Sequence, residues 1–244
     1  MYIRFIVILT VFFFLTSLNS ASAQKDISTQ FHSWYMYFGN HRLNDRWGIH
    51  TEYQWRRYGI GETWQQSLLR VGADYHANDK NTLTAGYAWV VTYPYGDQPI
   101  GATFTEHRIW QQWITQHQSG SLYIHHRYRL EQRFLEQPAE DKYVFRQRFR
   151  YRLLLTLPIG RPELADRTFF AATYVELFLG FGKGIARNIL DQSRLYAALG
   201  YRINPRVNVQ IGYLNQYVIK PDGLRHERNH TLQAGLTWNV DFRK

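Results

Sequence analysis

Arginine is the side chain with the most chemistry to offer in this chain, and its spacing is the first clue to its use. Arg146, Arg148, Arg150 and Arg152 stand at every second position of one segment, and Arg127, Arg129 and Arg133 flank Glu131 at the same spacing just before it. Guanidinium forks bind carboxylates and phosphates through paired hydrogen bonds, and they hold their charge at any ordinary pH. A row of them serves either as an ion-paired scaffold or as a surface for an anionic ligand. Arg56, Arg70, Arg194 and Arg202 occupy comparable positions elsewhere. The matching acids are Glu52, Asp74 and Glu131, joined by Glu106 and Glu176. Arginines outnumber these acids, which leaves positive charge without an evident partner.

Other chemistries find less support. Hydrolysis needs a nucleophile and a base within hydrogen-bond reach. His107, His125 and His126 are the nearest candidate bases, and Ser121 is close in sequence but sits at a turn. No G-x-S-x-G elbow is present. No catalytic residue is assigned, and no enzyme is expected; an outer-membrane lipid hydrolase or protease is the alternative. His226-Glu-Arg-Asn-His230 fits the zinc-helix pattern by letter. It abuts Gly223 and leads into a strand, so it reads as a chance match. No metal or cofactor is expected.

The elements that carry the arginines follow from their period. On a helix, Arg146 to Arg152 would spread around the axis; on a strand they form one row, because successive side chains point to opposite faces. Opposite them run Tyr143, Phe145, Phe149, Tyr151, Leu153 and Leu155. Similar alternation recurs at 69–76, 82–93, 122–131, 194–203, 207–213 and 231–242. The segments at 104–117 and 168–179 alternate less cleanly. Short turns are expected at 78–81, 118–120 and 204–205, and longer connections at 57–63, 94–103, 134–142, 180–190 and 220–228. The stretch 158–167 is long where a short turn is due. Outer-membrane barrels alternate short periplasmic turns with longer outside loops.

The first residues read as an export signal. One positive charge at Arg4, an apolar run at 5–15 and Ala21-Ser-Ala23 make a cleavable signal peptide over 1–23. The run is too short for an ordinary membrane helix, which needs about 20 apolar residues. The remainder, 24–244, carries 28 Lys and Arg against 19 Asp and Glu and has no cysteine. No composition shift divides it, so one domain is expected. Mean hydropathy is −0.44 although 17% of residues are aromatic. A strand barrel reconciles these values, because only every second residue meets lipid. Export also argues against nucleic acid as the basic chain's partner. Trp34, Tyr35, Tyr37, Trp47, Tyr53, Trp55, Trp64, Tyr93, Tyr95, Tyr143, Phe145, Trp238 and Phe242 lie near segment ends and suit interfacial girdles.

The run Trp34-Tyr-Met-Tyr-Phe-Gly-Asn-His-Arg-Leu-Asn-Asp-Arg-Trp47, with His50-Thr-Glu-Tyr-Gln-Trp-Arg-Arg57, resembles the opening of an uncharacterised family of bacterial outer-membrane barrels, classed as a domain of unknown function. Glu106-His-Arg-Ile-Trp-Gln-Gln112 and Arg127-Tyr-Arg-Leu-Glu-Gln-Arg133 resemble its middle strands. The resemblance implies fold and location, and no known activity.

The expected fold is therefore all-β: an antiparallel up-and-down transmembrane barrel. About eleven strand-like segments can be placed, but bacterial barrels of this type use an even number, so ten or twelve strands are expected. The expected function is an integral outer-membrane barrel, either structural or a narrow conduit or binding site for anionic or amphipathic molecules. Expected partners are outer-membrane lipids, the barrel assembly machinery and an anionic small molecule. A soluble periplasmic ligand-binding barrel is the rival, and it demands the opposite polarity, apolar inside and charged outside.

Overall fold

The computed structural model describes residues 26–97, 100–183, 185 and 187–243. The expected signal peptide, 1–23, lies outside them. Eleven strands close into one barrel among the described residues. They are β1 (Asp26–Arg42), β2 (Trp47–Tyr58), β3 (Thr63–Asn78), β4 (Asn81–Thr92), β5 (Phe104–Ser119) and β6 (Leu122–Gln137), then β7 (Lys142–Pro158), β8 (Thr168–Phe181), β9 (Leu190–Asn204), β10 (Val207–Ile219) and β11 (Arg225–Trp238). Each strand pairs antiparallel with its chain neighbours.

The count corrects the expectation of ten or twelve. It also breaks the antiparallel rule at one seam. In an up-and-down chain with an odd number of strands, the first and last run the same way, so their closing pair must be parallel. β1 and β11 pair in parallel from Asp26 beside Arg225 to Phe38 beside Thr237. The even count is a habit of one class of barrels and not a requirement of closure; a natural 19-stranded barrel exists.

The connections segregate as expected. At one end lie 43–46, 79–80, 120–121 and 205–206, with the longer 159–167. At the other lie 93–103, 182–189 and 220–224. The connections 59–62 and 138–141 are also at this end but are only four residues each, because β2, β6 and β7 extend further than the alternation suggested. The loop 220–224 is pinned by Asp222. Its carboxylate accepts the backbone N–H groups of Leu224 and Arg225, each at 2.9 Å, and the Arg225 side chain at 2.6 Å. Those backbone donors hold its pKa below the usual carboxylate range. A depressed carboxylate stabilises its surroundings above the ordinary Asp value and loses that effect as pH falls through the depressed one. Asp222→Ala should accordingly speed amide hydrogen exchange at Leu224 and Arg225 severalfold at neutral pH, with the difference shrinking in strong acid.

The two faces of the sheet differ sharply. Ile211, Leu199, Leu195 and Phe169 are each more than half exposed on the outside. Trp47 and Trp238 mark the short-turn end, while Trp55, Trp64, Tyr143 and Phe145 lie towards the long-loop end, all exposed. Trp34 is an exception to the expected girdle. It is 0% exposed, inside the barrel, where its Nε1 donates to Gln65 at 2.7 Å and the Arg56 guanidinium lies 4.0 Å from the ring centre. Trp34 and Tyr35 are adjacent in sequence, so only one can face outwards, and Tyr35 does. Tyr95 also turns inwards, edge-on to His32.

Large rings inside a small barrel need small residues beside them. Gly86 lies between Gly72 and Trp110 in adjacent strands. A Cβ on Gly86 would sit 2.8 Å from the Trp110 ring and 2.2 Å from the Val71 carbonyl. A Cβ on Gly200 would sit 2.1 Å from the Phe170 ring. Gly200→Ala should therefore destabilise by about 1–3 kcal/mol through overpacking, read as a lower denaturant midpoint after refolding.

Candidate functional site in the barrel lumen

The inward rows of β5 to β9 place charge in layers across the barrel. Across β6 and β7, Arg127 faces Arg152, Arg129 faces Arg150, and Arg133 faces Arg146; only Glu131 opposite Arg148 pairs unlike charges. Like charges directly opposite on a sheet repel. Three buried glutamates offset this. Glu131 accepts from Arg148 at 2.6 Å and Arg150 at 2.7 Å, with Arg70 at 3.6 Å. Glu176 accepts from Arg127 at 2.5 Å and Arg150 at 2.7 Å, with Arg194 at 3.7 Å. Glu106 holds Arg108 at 2.7 Å and Arg133 at 2.5 Å. On the far wall, Glu52 takes Arg70 at 2.7 Å on both oxygens.

Some cations have no carboxylate within 4.0 Å among the described residues. Arg56 donates to Gln66 at 2.7 Å and also to Gln54. Arg129 donates to Gln112 at 2.6 Å and lies 4.8 Å from the centre of the Trp110 ring. Arg146 donates to the carbonyl of Lys183 at 3.3 Å. Arg152 meets the Tyr174 ring at 5.5 Å.

The sequence-assigned residues thus fall into a central group and outliers. Glu52, Arg70, Arg127, Glu131, Arg148, Arg150 and Arg194 form one contiguous ion network with Glu176, and Arg129 and Arg152 stand beside it, opposite Arg150 and Arg127 across the sheet. Arg56 stacks on Trp34 beside it, and Arg133 joins it through Asp191, 3.9 Å from Arg133 and 3.4 Å from Arg148. Asp74 stands apart, accepting from the Thr84 hydroxyl at 2.6 Å. Arg202 lies towards the short turns, 3.7 Å from Asp166, and Arg146 at the long-loop end. Arg108 escaped the sequence reading. Its row in β5 also carries Trp110 and Ile114, while the outward row carries Gln111 and Thr115, so polarity does not mark the faces. The two-residue step from Glu106 to Arg108 is the one local signal. Lys220, which pairs with Glu227, was missed because it stands at a loop edge.

The network separates two chambers of the lumen. The lower holds about 90 Å³ and is lined by Arg70, Arg127, Arg129, Arg150, Arg152 and Arg194, with Glu52 and Glu176. Met36, Phe38, Leu154, Tyr174 and Tyr196 also line it, Leu154 and Tyr196 two residues nearer the short turns than Arg152 and Arg194 on the same strands. The upper, near the long loops, holds about 320 Å³ and carries Arg108, Arg133, Arg146, Arg148 and Lys220 among amide side chains. The two share no lining residue. Glu131 bridges them by binding Arg148 above and Arg150 below.

The histidines do not assemble around an ion. Among the described residues, no cluster of three or more His, Cys, Asp or Glu is placed to hold a metal. His226 and His230 lie on strand β11, against the rings of Tyr217 and Tyr213 respectively. His126 packs on Tyr151 on the outer face.

No curated protein matches the chain. One similar solved structure, "NanC porin structure in rhombohedral crystal form", has a TM-score of 0.48 and 14% identity over 85% of this chain and 97% of that one. A family model described as "Protein of unknown function (DUF2490)" matches residues 31–228. Matched over most of its length, this closed barrel with a charged lumen belongs to the DUF2490 family of proteins of unknown function.

Proposed function

We propose that this protein is an integral outer-membrane barrel whose lumen admits and binds small anions. The observation that carries the reading is polarity: apolar side chains cover the outside, and unbalanced arginines fill the inside. A soluble ligand-binding barrel would reverse that arrangement. Arginines are held by glutamates at the centre, while both chambers keep a positive excess, so cations are repelled and anions drawn in. Lipids of the outer membrane and the assembly machinery that inserts barrels are its expected partners. The Glu131 layer makes the passage narrow and favours residence over free flow.

Two measurements test this. Cell fractionation should place the protein with outer membranes, and unheated samples should migrate differently from boiled ones on gels. Recovery in the periplasmic fraction would overturn the location. Planar-bilayer recording on refolded protein should show small currents carried by anions. Silence across several anions, with none retained in the lumen by mass spectrometry, would leave a structural role alone.

A further inference from the structure

The lower chamber has two unlike walls. On one, Nε of Arg70, Arg127 and Arg152 and Nη1 of Arg129 are buried and have no protein acceptor. All four side chains line the same chamber. The two carboxylates that also line it, Glu52 and Glu176, are already bound by Arg70 and by Arg127 with Arg150. Guanidinium N–H groups only donate, so each requires an acceptor when buried. Arg129 and Arg152 have no carboxylate within ion-pair distance.

The other wall, nearer the short turns, is mainly apolar, with Thr156, Gln210 and Gln233 as its polar members. Met36, Tyr174 and Tyr196 are buried with Trp34 and Leu214, and Phe38 and Leu154 pack against them. A tetrahedral inorganic anion would satisfy the donors and leave this wall unmatched. A long acyl chain does not fit, because about 90 Å³ holds only about six to nine water-sized groups.

We infer that the lower chamber binds a short organic carboxylate. Its carboxylate meets Arg127, Arg129 and Arg152, and its body of about three to six carbons lies on the wall of Phe38, Leu154 and Tyr174. The inference deepens the proposal that the lumen admits anions and rests on it.

Titration calorimetry on the chain refolded in detergent micelles tests it, with butyrate, acetate and inorganic phosphate as probes. Butyrate should bind roughly tenfold tighter than acetate, since two more methylenes are buried, and tighter than phosphate. Arg152→Gln should weaken butyrate about tenfold. Leu154→Asn should reduce the preference of butyrate over acetate to about threefold or less. Ala172→Leu, which fills the chamber without touching a charge, should abolish butyrate binding. Heat-modifiable migration verifies that each variant is folded. Equal affinity for butyrate and acetate, tighter phosphate, or an unchanged Arg152→Gln protein would overturn the inference. If anion-selective current persists in that case, the ligand class alone has failed. If neither binding nor anion current is found, the lumen reading has failed with it.

Discussion

Replacing Glu131 with alanine should destabilise the barrel by about 3–5 kcal/mol, the cost of stranding buried charge by removing its partner. Glu131 is 0% exposed and holds Arg148 and Arg150 at 2.6 and 2.7 Å, with Arg70 at 3.6 Å. Its loss leaves Arg148 only Asp191, at 3.4 Å, and leaves Arg150 dependent on Glu176. Arg150 also faces Arg129 directly across the sheet. Glu131→Gln keeps an acceptor and should cost less. The pair between Lys142 and Glu140 offers a control, since both side chains are about half exposed and such pairs contribute about 0–1 kcal/mol. Denaturant titration of protein folded in vesicles measures all three. A Glu131→Ala midpoint equal to the wild type would show that the ion cage does not hold the fold.

Placing an arginine at Ile211 should cost about 2–4 kcal/mol if that position lies near the middle of a bilayer. Ile211 is 54% exposed on the outer face, beside Leu199 of β9 and Ala234 of β11. A charge there meets lipid in a membrane and meets water in a soluble barrel. Ile211→Arg should therefore unfold at lower denaturant in vesicles, while Ile211→Val stays close to the wild type. A neutral Ile211→Arg change would place that face in water.

How much of this was legible depended on how strongly each strand marks its two faces. In β7, arginine alternates with aromatic and aliphatic residues, and one row must avoid lipid; the inward side follows without a structure. In β5 both rows mix polar and apolar residues, so Arg108 and Trp110 carry no comparable mark. Trp34 and Tyr35 were equally suited to a girdle by type, and only strand parity separates them. The eleven segments were countable, yet the parallel β1–β11 seam leaves no local trace. Pairing between chain ends is set by closure, not by any motif in either strand. The chambers were beyond reach for a related reason. Which arginines a glutamate binds depends on side chains from three or four strands at one level, and sequence gives the faces without the levels.

The most direct test of the central claim is the zero-current potential of the refolded barrel in a planar bilayer under a tenfold potassium chloride gradient. A lumen lined as described must favour chloride over potassium, and the potential should take the sign set by chloride. Arg152→Gln with Arg129→Gln should shift it towards zero. A potential of the opposite sign would contradict an anion-binding lumen.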